Sequence, residues 1–231
     1  MPRVDDGLMT TSTYFDRITA PATVTVLVSK DCPNCARVVE QVRDLERRCP
    51  SVVVSVRDVF DAQDLRDRHA VQSVPATIVD DDLMLQGPVT AWALAEILAS
   101  RGTPSYDGHR VRAWLHARQL ERVARFLREP GRAPSVLPLL ETGDLSDRMA
   151  VTLAIQMAQE AAPGSLRDLV PGLISLLASE SINLRGDVAD LLGTLADPRA
   201  MDALEGLLTD PDEDVVAAAT DALATIRGAL S

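Results

Sequence analysis

Two cysteines spaced by two residues, Cys32-Pro33-Asn34-Cys35, follow closely on the apolar run Val24-Thr25-Val26-Leu27-Val28. The run reads as a strand. The stretch from Pro33 to about Arg48 carries Val38, Val39, Val42 and Leu45 at helical spacing and reads as an amphipathic helix. A cysteine pair at such a strand-to-helix junction has the geometry of dithiol–disulfide chemistry. Both sulfurs fall within one helical turn, and the first lies beside backbone N–H groups that no helical carbonyl satisfies, which favours its thiolate. Pro33 stands in the first turn, where its missing N–H costs nothing. Lys30, two residues before Cys32, adds a cation that would stabilise a thiolate modestly. Two other readings stay open for the pair. One is half of a zinc site, although no second Cys-x-x-Cys or nearby histidine pair completes four ligands; the other is two inert structural cysteines.

From Ala22 to about Gly102 the pattern alternates. Val52 to Val56 is a β-branched run, read as a buried strand. Asp61 is placed to cap a short helix reaching His69. Pro75–Val79 and Leu83–Leu85 form a hairpin around Asp80-Asp81-Asp82, and a last helix over roughly Val89–Ala99 carries Trp92, Leu94, Ile97 and Leu98. Ser73-Val74-Pro75-Ala76-Thr77 opens the third strand some forty residues after the cysteines. The order β-α-β-α-β-β-α, the dithiol at a helix start and the proline before the third strand together resemble the thioredoxin and glutaredoxin superfamily. That resemblance implies a cis Val74–Pro75 bond facing the dithiol and presenting backbone groups to a bound substrate chain. It also implies Cys32 as the exposed nucleophile and Cys35 as the buried resolving thiol, with Lys30, Pro33 and Asn34 in support. The chain departs from thioredoxin proper in having no tryptophan near the dithiol and no Gly-Pro between the cysteines.

Beyond the turn formers Gly102-Thr103-Pro104-Ser105 no strand signal remains. His109 to about Glu129 reads as helical, with a break near Arg118. The remainder repeats a helix–turn–helix plan. Leu204, Leu207 and Leu208 lead into Val215, Val216, Ala219, Leu223 and Ile226; before them Leu169, Leu173, Ile174 and Leu177 lead into Leu184, Val188, Leu191, Leu192 and Leu195. Asp197-Pro198 joins the two units as a cap followed by proline at the first helical position, and a degenerate earlier unit spans Ser135–Ala161. Leu177 and Leu208 lie 31 residues apart, Leu140 and Leu177 37. Helix pairs at this period resemble HEAT-type repeats, which bind proteins. The expected fold class is α/β plus all-α: a thioredoxin-like domain over 1–102, a helical linking segment over 103–133, and a short HEAT-like α-solenoid over 134–231.

Charge narrows the partners. Residues 134–231 carry 5 basic and 16 acidic side chains, whereas 103–133 carry 7 and 3. So acidic a solenoid argues against nucleic acid or an anionic membrane. No run approaches a membrane span, and Met1–Thr13 lacks the order of a signal peptide, so a cytoplasmic address is expected. Three cysteines in 231 residues are too few for a disulfide framework. Cys49 falls outside the motif and reads as a buried small residue. His109 and His116, seven apart on one helix, stand about 10 Å from each other, too far to share a metal directly. Asp210, Asp212 and Asp214 have the alternate spacing of a calcium loop, but Val215 stands where the loop needs glycine; capping is the better reading.

The function these readings point to is thiol–disulfide exchange on a disulfide-containing protein client, with electrons from an external thiol reductase or thiol pool and no organic cofactor or metal. The repeats would bind the client. The alternatives are a non-enzymatic redox sensor or scaffold built on the same fold, and a metal-binding module.

Overall fold

The computed structural model of the chain describes residues 12–230, and the chain divides into two compact units between Ala117 and Arg118. The first unit runs α1 (Ser12–Phe15), β1 (Ala22–Val28), α2 (Cys35–Arg48), β2 (Val52–Asp58), α3 (Gln63–His69), β3 (Ala76–Val79), β4 (Leu83–Gln86), α4 (Ala91–Ala99) and α5 (Pro104–His116). The second is helical: α6 (Leu120–Leu127), α7 (Leu137–Thr142), α8 (Leu145–Ala161), α9 (Val170–Leu176), α10 (Ile182–Leu195), α11 (Met201–Gly206) and α12 (Glu213–Ala229), with short 3-10 turns leading into several of them.

The four strands form one sheet in the order β2-β1-β3-β4. β1 pairs with β2 in parallel, from Ala22↔Val52 to Val28↔Asp58, and with β3 antiparallel, with Leu27 opposite Ala76. The sequence alternation decides the two faces. Val24, Val26, Val52 and Val54 point to one side, where they bury against Val38, Val42 and Leu45 of α2 and Leu94, Ile97 and Leu98 of α4. Leu27, Ala76, Ile78 and Met84 point to the other, where Ala62 and Leu65 cover them. The β3–β4 turn has positive φ at Asp80 and Asp81 (51° and 53°) and is closed by the Asp82 N–H bonded to the Val79 oxygen at 3.0 Å, a conformation aspartate tolerates better than most residues.

Two expectations need correction. β2 is an edge strand with one open face, so Val53 is 63% exposed, not buried. Asp61 does not cap α3: the residue before the helix is Ala62, and no side chain caps it. Trp92 is exposed on α4, where it meets Tyr14 edge-on with ring centroids 5.0 Å apart. The helical stretch from His109 to Glu129 breaks at Arg118 (φ 57°), where its sequence places the break, into α5 and α6. α5 belongs to the first unit, packs beside β4 and places Ala113 in the core under α4.

In the second unit short and long helices alternate as α7–α8, α9–α10 and α11–α12. The long helix starts with a side-chain cap each time: Asp144 accepts from Asp147 N–H, Ser181 from Leu184 N–H, and Asp212 from Asp214 and Val215 N–H. Leu169, Leu173, Leu184, Val188, Leu191, Leu192, Leu204, Val215, Ala219, Leu223 and Ile226 are buried as their spacing predicts. Leu208 is 41% exposed instead, because the short helix ends in a 3-10 turn that rotates it outward. Among the described residues no helix is long and apolar enough to cross a membrane.

Candidate redox site

The register brings three connections to one end of the sheet. β1 and β2 are parallel and end together at Val28 and Asp58, while β3, running the other way, begins at Ala76 beside Leu27. The loop after β1 carries the cysteines, the loop after β2 carries Val59–Ala62, and Val74-Pro75 immediately precedes β3. Since β1 lies between β2 and β3, the dithiol loop is flanked by the other two.

The loop after β1 is a succession of turns. Cys32 N–H donates to the Ser29 oxygen at 3.3 Å, Asp31 N–H to Ser29 Oγ at 3.3 Å, and Cys35 N–H to the Cys32 oxygen at 3.4 Å. α2 starts at Cys35, two residues later than the spacing implied, because Asn34 (φ −98°, ψ −11°) is the half-helical residue whose carbonyl takes the first bond, from Val38 N–H at 3.2 Å. Cys32 and Pro33 thus lie just outside the helix, facing the first-turn N–H groups and the positive end of its dipole. Cys32 and Cys35 are joined in a disulfide with Cα atoms 5.4 Å apart. Cys32 is half-buried and Cys35 is 4% exposed, held among the side chains that α2 turns into the core. The two sulfurs therefore differ in access, the asymmetry an attacking and a resolving thiol require.

On one flank the Val74–Pro75 peptide bond is cis, as the resemblance implied. Pro75 is buried, and its carbonyl accepts from Gly87 N–H at 2.8 Å; Gln86 Nε2 donates to Ser73 Oγ at 2.6 Å. Val74 is half-buried against the core beneath β3. Lys30, Asp31, Pro33 and Asn34 are all exposed around Cys32.

On the other flank is a residue the sequence reading passed over. Phe60 is 75% exposed, in a turn pinned to the sheet by Val59 N–H donating to the Val28 oxygen at 2.8 Å and fixed further by Phe60 N–H on Asp58 Oδ1 at 2.9 Å. The available signal was a large apolar side chain set in the turn sequence Asp58-Val59-Phe60-Asp61, where nothing in the pattern could bury it.

The other sequence candidates lie elsewhere. Cys49 is 1% exposed at the end of α2, its thiol 3.7 Å from the Phe15 oxygen. Burial pushes its pKa up, Asp16 adds to this and Arg48 opposes it. His109 is half-buried on α5 with its pKa lowered by desolvation, which Glu96 counters and Arg112 reinforces. Asp212 caps α12, and Asp210 binds Arg185. Among the described residues no group of three or more His, Cys, Asp or Glu side chains is placed to hold a metal ion.

Comparison with protein families agrees with this geometry. Residues 22–99 match the model of a thioredoxin domain, and residues 170–230 that of HEAT repeats. No curated protein matches the chain. The chain thus joins a thioredoxin domain bearing a cysteine pair to HEAT repeats. The first points to redox function and the second to protein interaction.

Proposed function

We propose that the chain is a thiol–disulfide oxidoreductase whose repeats bind the protein client. The observation that carries this reading is the pairing of half-exposed Cys32 with buried Cys35 at the start of α2, beside Val74-Pro75. In the reduced protein the Cys32 thiolate attacks one sulfur of a client disulfide. The Cys32–client S–S bond forms, the client S–S bond breaks, and the departing sulfur leaves with the electron pair and takes a proton. Cys35, deprotonated, then attacks Cys32 Sγ and releases the second client thiol. Two electrons and two protons reach the client, and the protein ends with the Cys32–Cys35 disulfide. An external thiol reductant returns it to the dithiol. Helix-end N–H groups and the Lys30 ammonium favour the attacking thiolate, and half-buried Val74, just before the cis bond, offers its backbone to the client. A cytoplasmic setting, with its reducing thiol pool, completes the reading.

Equilibration of the full-length protein in defined thiol–disulfide buffers, followed by alkylation and mass spectrometry, tests it. A reversible two-electron transition confined to Cys32 and Cys35 is expected. In addition Cys35→Ser should accumulate a mixed disulfide with client that Cys32→Ser cannot form. A pair that stays oxidised or stays reduced at every poise would overturn the proposal and leave a scaffold as the better account.

A further inference from the structure

The three connections around Cys32 differ from one another in chemistry. Phe60, at 75% exposure, stands on the β2 side of the dithiol loop, with exposed Pro33 within that loop and half-buried Val74 on the β3 side. These apolar surfaces alternate with carboxylates: Asp31 beside Cys32, and Asp58 and Asp61 on either side of Phe60. Their only cationic counterpart in the three connections is Lys30. Arg57, the last residue before Asp58, is committed to the same turn, donating to the Asp61 backbone oxygen at 3.0 Å and to Asp64 Oδ1 at 3.5 Å. Asp58 accepts from Phe60 N–H, so the turn that exposes the ring also fixes a carboxylate next to it.

A single exposed aromatic ring is ordinary on a protein surface, and its position decides what it can do. Here it stands where a substrate must approach Cys32. We infer that Phe60 is a specificity-determining residue of the redox site, and that the disulfide it selects lies in a polypeptide segment with apolar and basic side chains next to the cysteine. This rests on the proposed thiol–disulfide activity. The apolar neighbour of the client cysteine packs on the Phe60 ring, and its basic neighbour meets Asp31 or Asp61. The same carboxylates repel an anionic disulfide, so oxidised glutathione, with its uncompensated carboxylates, is a poor substrate. The exchange steps and their electron balance are those already given; the inference concerns which disulfide arrives.

The test uses the reduced full-length protein and four disulfides. They are a short peptide disulfide with leucine and arginine beside the cysteine, its counterpart with glutamate for arginine, oxidised glutathione, and neutral hydroxyethyl disulfide. Each second-order rate is divided by the rate of dithiothreitol with the same compound, which removes differences in leaving-group acidity. The cationic peptide should lead the anionic one and glutathione by about tenfold at low ionic strength, with the gap closing as salt is added. Phe60→Ala should lower the ratio of cationic-peptide to hydroxyethyl-disulfide rates about threefold or more, and Asp61→Asn should narrow the gap between the two peptides. Equal rates for the cationic and anionic peptides at low salt, or a Phe60→Ala ratio equal to that of the unaltered protein, would overturn the inference while a live reaction with hydroxyethyl disulfide keeps the oxidoreductase reading standing. No reaction with any of the four would overturn both.

Discussion

Arg185 on α10 grips Asp210, in the turn between α11 and α12, through two parallel hydrogen bonds, Nε to Oδ2 and Nη2 to Oδ1, each 2.8 Å. Both side chains are largely removed from solvent, at 11% and 6% exposure, and Arg185 Nη1 also donates to the Ser179 and Glu180 oxygens. One guanidinium therefore fastens two successive repeats and closes the turn before its own helix. Arg185→Ala leaves the Asp210 carboxylate and two carbonyls without these donors, and should lower the melting temperature of the helical unit by about 5 °C or more. Arg185→Lys should recover little, because a single ammonium cannot reproduce the fork. Differential scanning calorimetry of the full chain reads both changes.

The acidity of the second unit makes its stability depend on pH in two opposed ways. The Arg185 hydrogen bond holds Asp210 below the usual carboxylate range, and Arg199 does the same for Asp197. Each then contributes stability that is present at neutral pH and lost as pH falls through its lowered folded pKa. Asp190 is shifted the other way, by desolvation first and by the charges of Asp187 and Asp221 next. Its contribution is unfavourable at neutral pH and is relieved as pH falls through its raised value. Asp190→Asn should therefore raise the melting temperature at pH 7 by about 1–2 °C, and the advantage should vanish near pH 4. An advantage that persists or grows in acid would mean that Asp190 acts through packing and not charge.

Cys49 should stay silent in native thiol chemistry. It is 1% exposed, and burial raises its pKa, so both access and thiolate fraction are low. After reduction, iodoacetamide at pH 8 should label Cys32 rapidly, with Cys35 slower and Cys49 only once denaturant is added. Mass spectrometry of the digested protein separates the three. Native labelling of Cys49 at a rate near that of Cys32 would refute this.

What could be read in the sequence followed from periodicity. The strand–helix order of the first unit and the buried leucines of the repeats come from patterns of period two and near 3.6, which burial enforces locally. The Cys32–Cys35 pair was legible because its spacing is itself chemical, and the cis bond before Pro75 because the resemblance to the thioredoxin superfamily implied it. Phe60 was not: its meaning depends on β2 ending level with β1, a parallel register fixed by contacts thirty residues apart. The same holds for Val53, whose exposure follows from β2 lying at the sheet edge, and for Asp210, read as a cap when its partner Arg185 lies 25 residues earlier. α2 beginning at Cys35 and not Pro33 is the ordinary indeterminacy of a helix end.

One close helix contact in the repeats depends on a missing side chain. Gly193 is buried in the last turn of α10, and a Cβ there would lie 2.9 Å from Ala222 Cα and 3.0 Å from Ala222 Cβ on α12. Two effects compete in Gly193→Ala. Alanine improves helix propensity by about 1 kcal/mol. Against this, the obstructing atoms belong to the backbone and Cβ of the facing helix, which cannot rotate away, so α10 and α12 must shift apart at this crossing; overpacking of this kind costs about 1–3 kcal/mol. The clash should win, and Gly193→Ala should destabilise the helical unit by about 1 kcal/mol, read as a lower midpoint in urea with an unchanged slope. Ala222→Gly made in the same chain removes the facing methyl and should recover part of the loss, whereas Ala222→Gly alone should only destabilise. A stabilised Gly193→Ala would show that the helices yield at this crossing, and that propensity, not close approach, sets the stability at this position.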